Sequence, residues 1–257
     1  MRFGCCAAID QAEALDKAGY DFIECTVISL MPEEKAEVFK PILEKYQASP
    51  LPIEAFNILL PSDLKIVGDK VDNQRVKDYL KSALERVCRI GADTIVFGCG
   101  GARSFPKGLS KEKGREQMAA FLSTVSDMAD QLSLTIVIEP LNKKESNIIN
   151  SISEAVAWSK EFNQKSLKTL ADFYHMEEEK EPLTNLYEYK NFIQHIHVAD
   201  TNRLAPGTGM YPYPEFVRNI HKANYDGRIS IECNWRNFAE EIGPALDFLK
   251  SSFLIIK

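Results

Sequence analysis

The chain has 257 residues, 45% of them hydrophobic, and a formal net charge of −6. That length suits one domain of barrel size, the acidic balance argues against a nucleic-acid partner, and no apolar run approaches the span of a bilayer. Six cysteines occur without a C-x-x-C pair, which excludes a zinc knuckle or a dithiol redox motif and leaves reduced, mostly buried thiols.

The opening residues, M-R-F-G-C-C-A-A-I-D, meet an acid too early for the apolar region of a signal peptide, so a cytoplasmic location is expected. They begin the first of eight short β-branched runs, predicted as strands at 2–8, 21–27, 51–57, 93–98, 134–139, 167–172, 194–199 and 228–233. Helical patterns alternate with them at 10–19, 33–47, 72–90, 111–132, 151–162, 184–191, 214–223 and 240–254. Start signals mark several of these: Asp72, Ser110, and Ser151 or Ser153 as caps, with Pro214 in a first turn. Gly19, Gly91 and Gly227 each precede a strand, where a left-handed helix cap is expected.

Eight strand–helix units without a visible linker predict an α/β protein, a single (β/α)8 TIM barrel over residues 1–257. The rival is an open doubly wound sheet. Its G-x-G-x-x-G fingerprint is absent, since the run Gly98-Cys99-Gly100-Gly101-Ala102-Arg103 matches neither it nor a Walker loop.

In a barrel strand alternate side chains face inward, and functional groups gather at the C-terminal ends. Glu139 shares a face with Thr135 and Val137, opposite Ile136 and Ile138. Asp172 falls in phase with Leu170, His197 with His195, and Glu232 with Ser230. One solution serves all four strands: isoleucines outward, and Glu139, Asp172, His197 and Glu232 inward at the rim. A lone acid at a strand end is more often a solvated loop residue, but four groups in matching register reverse that expectation. Three carboxylates gathered around one imidazole would repel one another without a cation among them. An oxygen-rich set with one nitrogen suits a single divalent ion, Mn²⁺ first, with Mg²⁺, Co²⁺ and Zn²⁺ open. His195 lies deeper and reads as a hydrogen-bonded interior group. Glu24, ending the second strand, is a further polar contact or a salt-bridge partner at the barrel mouth, and Arg103 is a candidate contact for a substrate phosphate or carboxylate.

The order I-E-P-L-N, A-D-F-Y-H-M, H-I-H-V-A-D-T-N-R, I-S-I-E resembles the xylose-isomerase-like sugar phosphate isomerase/epimerase superfamily, and within it the D-tagatose/D-psicose 3-epimerases. The resemblance implies metal ligands at Glu139, Asp172, His197 and Glu232, with the two glutamates doubling as the acid/base pair. It also implies substrate-binding groups at Glu145, His175 and Arg203, which keep the family's spacing from the ligands. The implied activity is isomerisation or epimerisation of a keto sugar or sugar phosphate through a metal-stabilised enediolate. The same site could expel a β-hydroxyl as a dehydratase. An apurinic-site endonuclease and a non-catalytic sugar-binding barrel are weaker alternatives. The former needs extra histidines where this chain has Phe56-Asn57 and Phe97-Gly98-Cys99. A homo-oligomer is possible by analogy.

Overall fold

The structure, a computed structural model, describes residues 1–255. Among these, eight strands run parallel and close into a ring in chain order: β1 (Arg2–Cys6), β2 (Phe22–Thr26), β3 (Ile53–Asn57), β4 (Thr94–Phe97), β5 (Thr135–Ile138), β6 (Leu167–Asp172), β7 (Ile193–Val198) and β8 (Arg228–Ile231). The ring shuts where Phe3 and Cys5 of β1 pair with Ile229 and Ile231 of β8.

Around it lie α1 (Ala12–Ala18), α2 (Ala36–Gln47), α3 (Asn73–Ile90), α4 (Gly100–Arg103), α5 (Lys111–Gln131), α6 (Ile152–Phe162), α7 (Phe173–Glu178), α8 (Asn185–Glu188), α9 (Tyr213–Ala223) and α10 (Phe238–Ile255). The eight predicted helices are present with shifted ends, and α8 keeps only four residues of its 184–191 stretch. Two short helices were not predicted. α4 and α7 follow their strands at once, and each is too brief to show a helical period in the sequence.

Caps set the helix ends. Asp72 accepts from the amides of Gln74 and Arg75, Ser110 from Lys113, and Ser151, not Ser153, from Glu154. Gly19 and Gly91 end α1 and α3 with φ of +88° and +101°. Gly227 does not play this part: Asn224, at φ +51°, closes α9 instead, because an Asn tolerates the left-handed turn and comes first.

Side-chain parity divides the barrel. Ile136, Ile138, Ile196, Ile229 and Ile231 join the shell between strands and helices, while Val96, Val137 and Leu170 form a separate cluster inside the ring. The N-terminal end is closed by Arg228, which donates to the Glu54 carbonyl, Asp93 and Thr94. The opposite end keeps the polar groups. Among the described residues no helix is long and apolar enough to cross a membrane, and all six cysteines are free.

Candidate metal centre and active site

The strand ends bring four groups together. Glu139 directly follows β5, Asp172 ends β6, His197 is the penultimate residue of β7, and Glu232 directly follows β8. One donor atom from each lies within 4.8 Å of the others. His197 Nδ1 is 3.3 Å from Glu139 Oε1, 3.5 Å from Glu232 Oε2 and 4.0 Å from Asp172 Oδ2. The imidazole therefore aims one nitrogen into three carboxylates. Backbone shape makes room for this: a Cβ on Gly98 would meet the Glu139 carboxylate, so a larger residue there would push that carboxylate out of its place.

The other nitrogen is held from below. His197 Nε2 lies 2.9 Å from Glu24 Oε1, while Glu24 Oε2 lies 2.8 Å from His195 Nε2 and accepts from Ser230 Oγ at 2.6 Å. Glu24 is fully buried, so it is neither a mouth salt bridge nor a rim contact but a hub inside the barrel. Burial pushes its carboxyl up, yet the His197 and His195 imidazoles outweigh burial and hold it well below the usual carboxylate range. A carboxylate on the far nitrogen fixes a ligand histidine's tautomer and raises its basicity. His195, as expected, is a hydrogen-bonded interior group.

Electrostatics pull the two rim glutamates apart. Burial, then the charge of Glu232, push Glu139 up. At Glu232 burial acts the same way, but His197 and Arg203 overcome it and hold the carboxyl below the usual carboxylate range. A divalent cation fits this donor set, because it would offset the repulsion among three close carboxylates with hard oxygen ligands and one imidazole already oriented by Glu24.

The remaining candidates surround the cluster. Arg203 Nη2 donates to Glu232 Oε2 at 2.6 Å, its Nη1 reaches both Glu145 oxygens at 3.3 Å, and its guanidinium lies 5.1 Å from the centre of the Tyr174 ring. Asn202 and Arg203 are consecutive left-handed residues, at φ +62° and +59°. His175 does not cap α7; Asp172 does, accepting from the His175 amide at 3.0 Å. His175 Nδ1 instead accepts from the Asn142 amide, and Asn142 Nδ2 donates to Glu145. This leaves His175 Nε2 buried with no hydrogen-bond partner among the described residues. Arg103 is not a substrate contact. It is fully buried and donates to the Phe97 and Glu139 carbonyls, pinning β4 to the segment after β5. Asn57, which donates to Glu232 Oε1 at 3.2 Å, and Cys6, 3.9 Å from His197 Nε2, also belong to the mouth. Their place at strand ends was the only signal in the sequence.

A closed parallel ring with its polar groups gathered at the C-terminal rim defines a TIM barrel with an enzyme-type mouth. The chain belongs to the xylose isomerase-like TIM barrel family, whose model matches residues 12–252. It is 25% identical over 177 residues to a 3-dehydro-D-guloside 4-epimerase of Escherichia coli strain K12, covering 65% of this chain and 67% of that protein. It is 25% identical over 262 residues to an L-ribulose 3-epimerase of Methylomonas sp. strain DH-1, covering 92% and 88%. The fold matches the crystal structure of a 3-keto-D-glucoside 4-epimerase from E. coli with a TM-score of 0.84 at 21% identity, over 98% of this chain and 99% of that one.

Proposed function

We propose that the chain is a divalent-metal-dependent epimerase or isomerase of a keto sugar or sugar phosphate, acting by proton abstraction next to the carbonyl. The observation that carries this is His197, with Nδ1 aimed at Glu139, Asp172 and Glu232 and Nε2 held by Glu24. Both relatives named above are sugar epimerases, which supports the substrate class. In this proposal residues 1–257 are one barrel domain in the cytoplasm, open to forming a homo-oligomer, with a small sugar as partner and neither nucleic acid nor membrane.

Glu139, Asp172, His197 and Glu232 would hold the ion, Mn²⁺ in the first instance, and an ion there would act as a Lewis acid on the sugar's carbonyl and adjacent hydroxyl. The chain's own groups move the proton. Glu232, whose Oε2 is paired with the Arg203 guanidinium, takes it from the carbon beside the carbonyl. Glu139, across the mouth from it, returns one from the other face, since β5 and β8 stand three strands apart in the ring. Return to the same carbon inverts it, and return to its neighbour isomerises the sugar. Glu145, His175 and Arg203 bind substrate oxygens: Arg203 and His175 Nε2 as donors, Glu145 as acceptor.

Proton NMR of a panel of ketoses and ketose phosphates in D₂O, after incubation with Mn²⁺-loaded protein, tests this. One carbon-bound proton should wash out, and Asp172→Ala should lose both the exchange and the bound ion by elemental analysis. No exchange on any panel member, or undiminished metal in both Asp172→Ala and His197→Ala, overturns the proposal.

A further inference from the structure

Asn57 ends β3 with its side chain at the mouth, and it is 6% exposed. Its Nδ2 donates to Oε1 of Glu232 at 3.2 Å, while Oε2 of the same carboxylate takes Arg203 at 2.6 Å. Glu232 is thus held at one oxygen by a long charged arm and at the other by a short neutral amide fixed to a strand. Turning the amide over would set its oxygen against the carboxylate, so its polarity is determined. The consequence falls on Oδ1, a buried acceptor with no partner among the described residues. Buried amide oxygens in folded proteins are nearly always satisfied by protein, water or ligand.

The next residue gives a second, independent sign. Ile58 has φ +48° and is 41% exposed. A β-branched residue in that conformation is a genuine outlier, and strain of this kind gathers where a ligand is held. Burial of its own side chain does not compensate it.

We propose that Asn57 is the positioning residue for Glu232 and the acceptor for one hydroxyl of the bound sugar, so that a single amide aligns the proton-carrying carboxylate with the occupied site. This rests on the epimerase reading above. A neutral hydroxyl is the donor that fits, because it gives one proton to Oδ1 without adding charge. A phosphate has no proton to offer Oδ1 at neutral pH beyond a fraction of its second ionisation, and it would face Glu232. Asn57 therefore selects an unphosphorylated carbon at this end of the substrate.

Mn²⁺-loaded wild type, Asn57→Ala and Asn57→Asp would be compared for metal content, and for kcat and KM on a ketose the wild type converts and on its monodeoxy analogues. Asn57→Ala should keep its metal, raise KM by about tenfold or more and lower kcat. Asn57→Asp keeps the acceptor and loses the donor, so KM should stay near the wild-type value while kcat falls. One monodeoxy analogue should suffer in the wild type as the parent ketose suffers in Asn57→Ala, and should be indifferent to that substitution. Wild-type kcat and KM in Asn57→Ala, or an equal loss on every analogue, overturns the assignment and leaves the epimerase reading standing. A wild type that converts no ketose overturns both.

Discussion

The imidazole of His197 has two nitrogens and two separate tasks, and the residues around it divide accordingly. Nδ1 faces the rim carboxylates, while Nε2 is committed to Glu24. Glu24→Gln keeps the shape and removes the charge that fixes the tautomer. Metal affinity should fall about 10–100-fold although all four proposed ligands remain, as a competitive chelator titration would show. Unchanged affinity would mean that Glu24 is only a packing residue. The rim glutamates differ from it. Glu139→Gln and Glu232→Gln each retain an oxygen but no base, so turnover should drop roughly 10²–10⁴-fold with the ion still bound. Deuterium should still enter one epimer alone in one of the two variants. Near-normal exchange in both, with metal present, would move the base to another group, His175 first.

At the scale of elements, the last four strands were legible because one alternation runs through all of them. Ile136, Ile138, Ile196, Ile229 and Ile231 point to the helices, and that phase puts Glu139, Asp172, His197 and Glu232 at the mouth. The first half gave no such chorus. Glu24 is a single acid on its strand, and Asn57 a single amide, so nothing in the sequence separates an interior hub from a surface contact. Arg103 misled for a related reason: a charged residue after a glycine run resembles an anion site, but this one is fully buried and turns Nη1 and Nη2 to backbone carbonyls. Gly227 precedes a strand as Gly19 and Gly91 do, and only the turn at Asn224 shows why it is not a cap. The glycine run has a use that no motif describes. Gly98→Ala would place a methyl where the Glu139 carboxylate sits, so this variant should fold, with its far-UV spectrum unchanged, and bind metal weakly. Wild-type metal affinity in Gly98→Ala would contradict the close approach.

Across the whole molecule, the Arg228 network closes one end and the polar groups gather at the other. Mutations at the closed end should therefore alter stability and leave the mouth alone. Arg228→Met removes the donors to Asp93 and Thr94, so its melting temperature should fall while metal affinity holds. A matching loss of metal binding would show that the two ends are coupled.

Glu24 has one more consequence, in the order of events. It sits on the second strand, whereas the groups it organises are on the seventh and eighth. A fragment carrying only the second half of the chain would hold all four rim groups yet lack the anchor for His197. Such a half should bind the ion poorly alone and recover when the complementary half is added. During refolding, capture of the ion would then keep time with the meeting of the chain's two halves, and a metal-sensitive dye in a stopped-flow mixer could serve as a clock for that last assembly step.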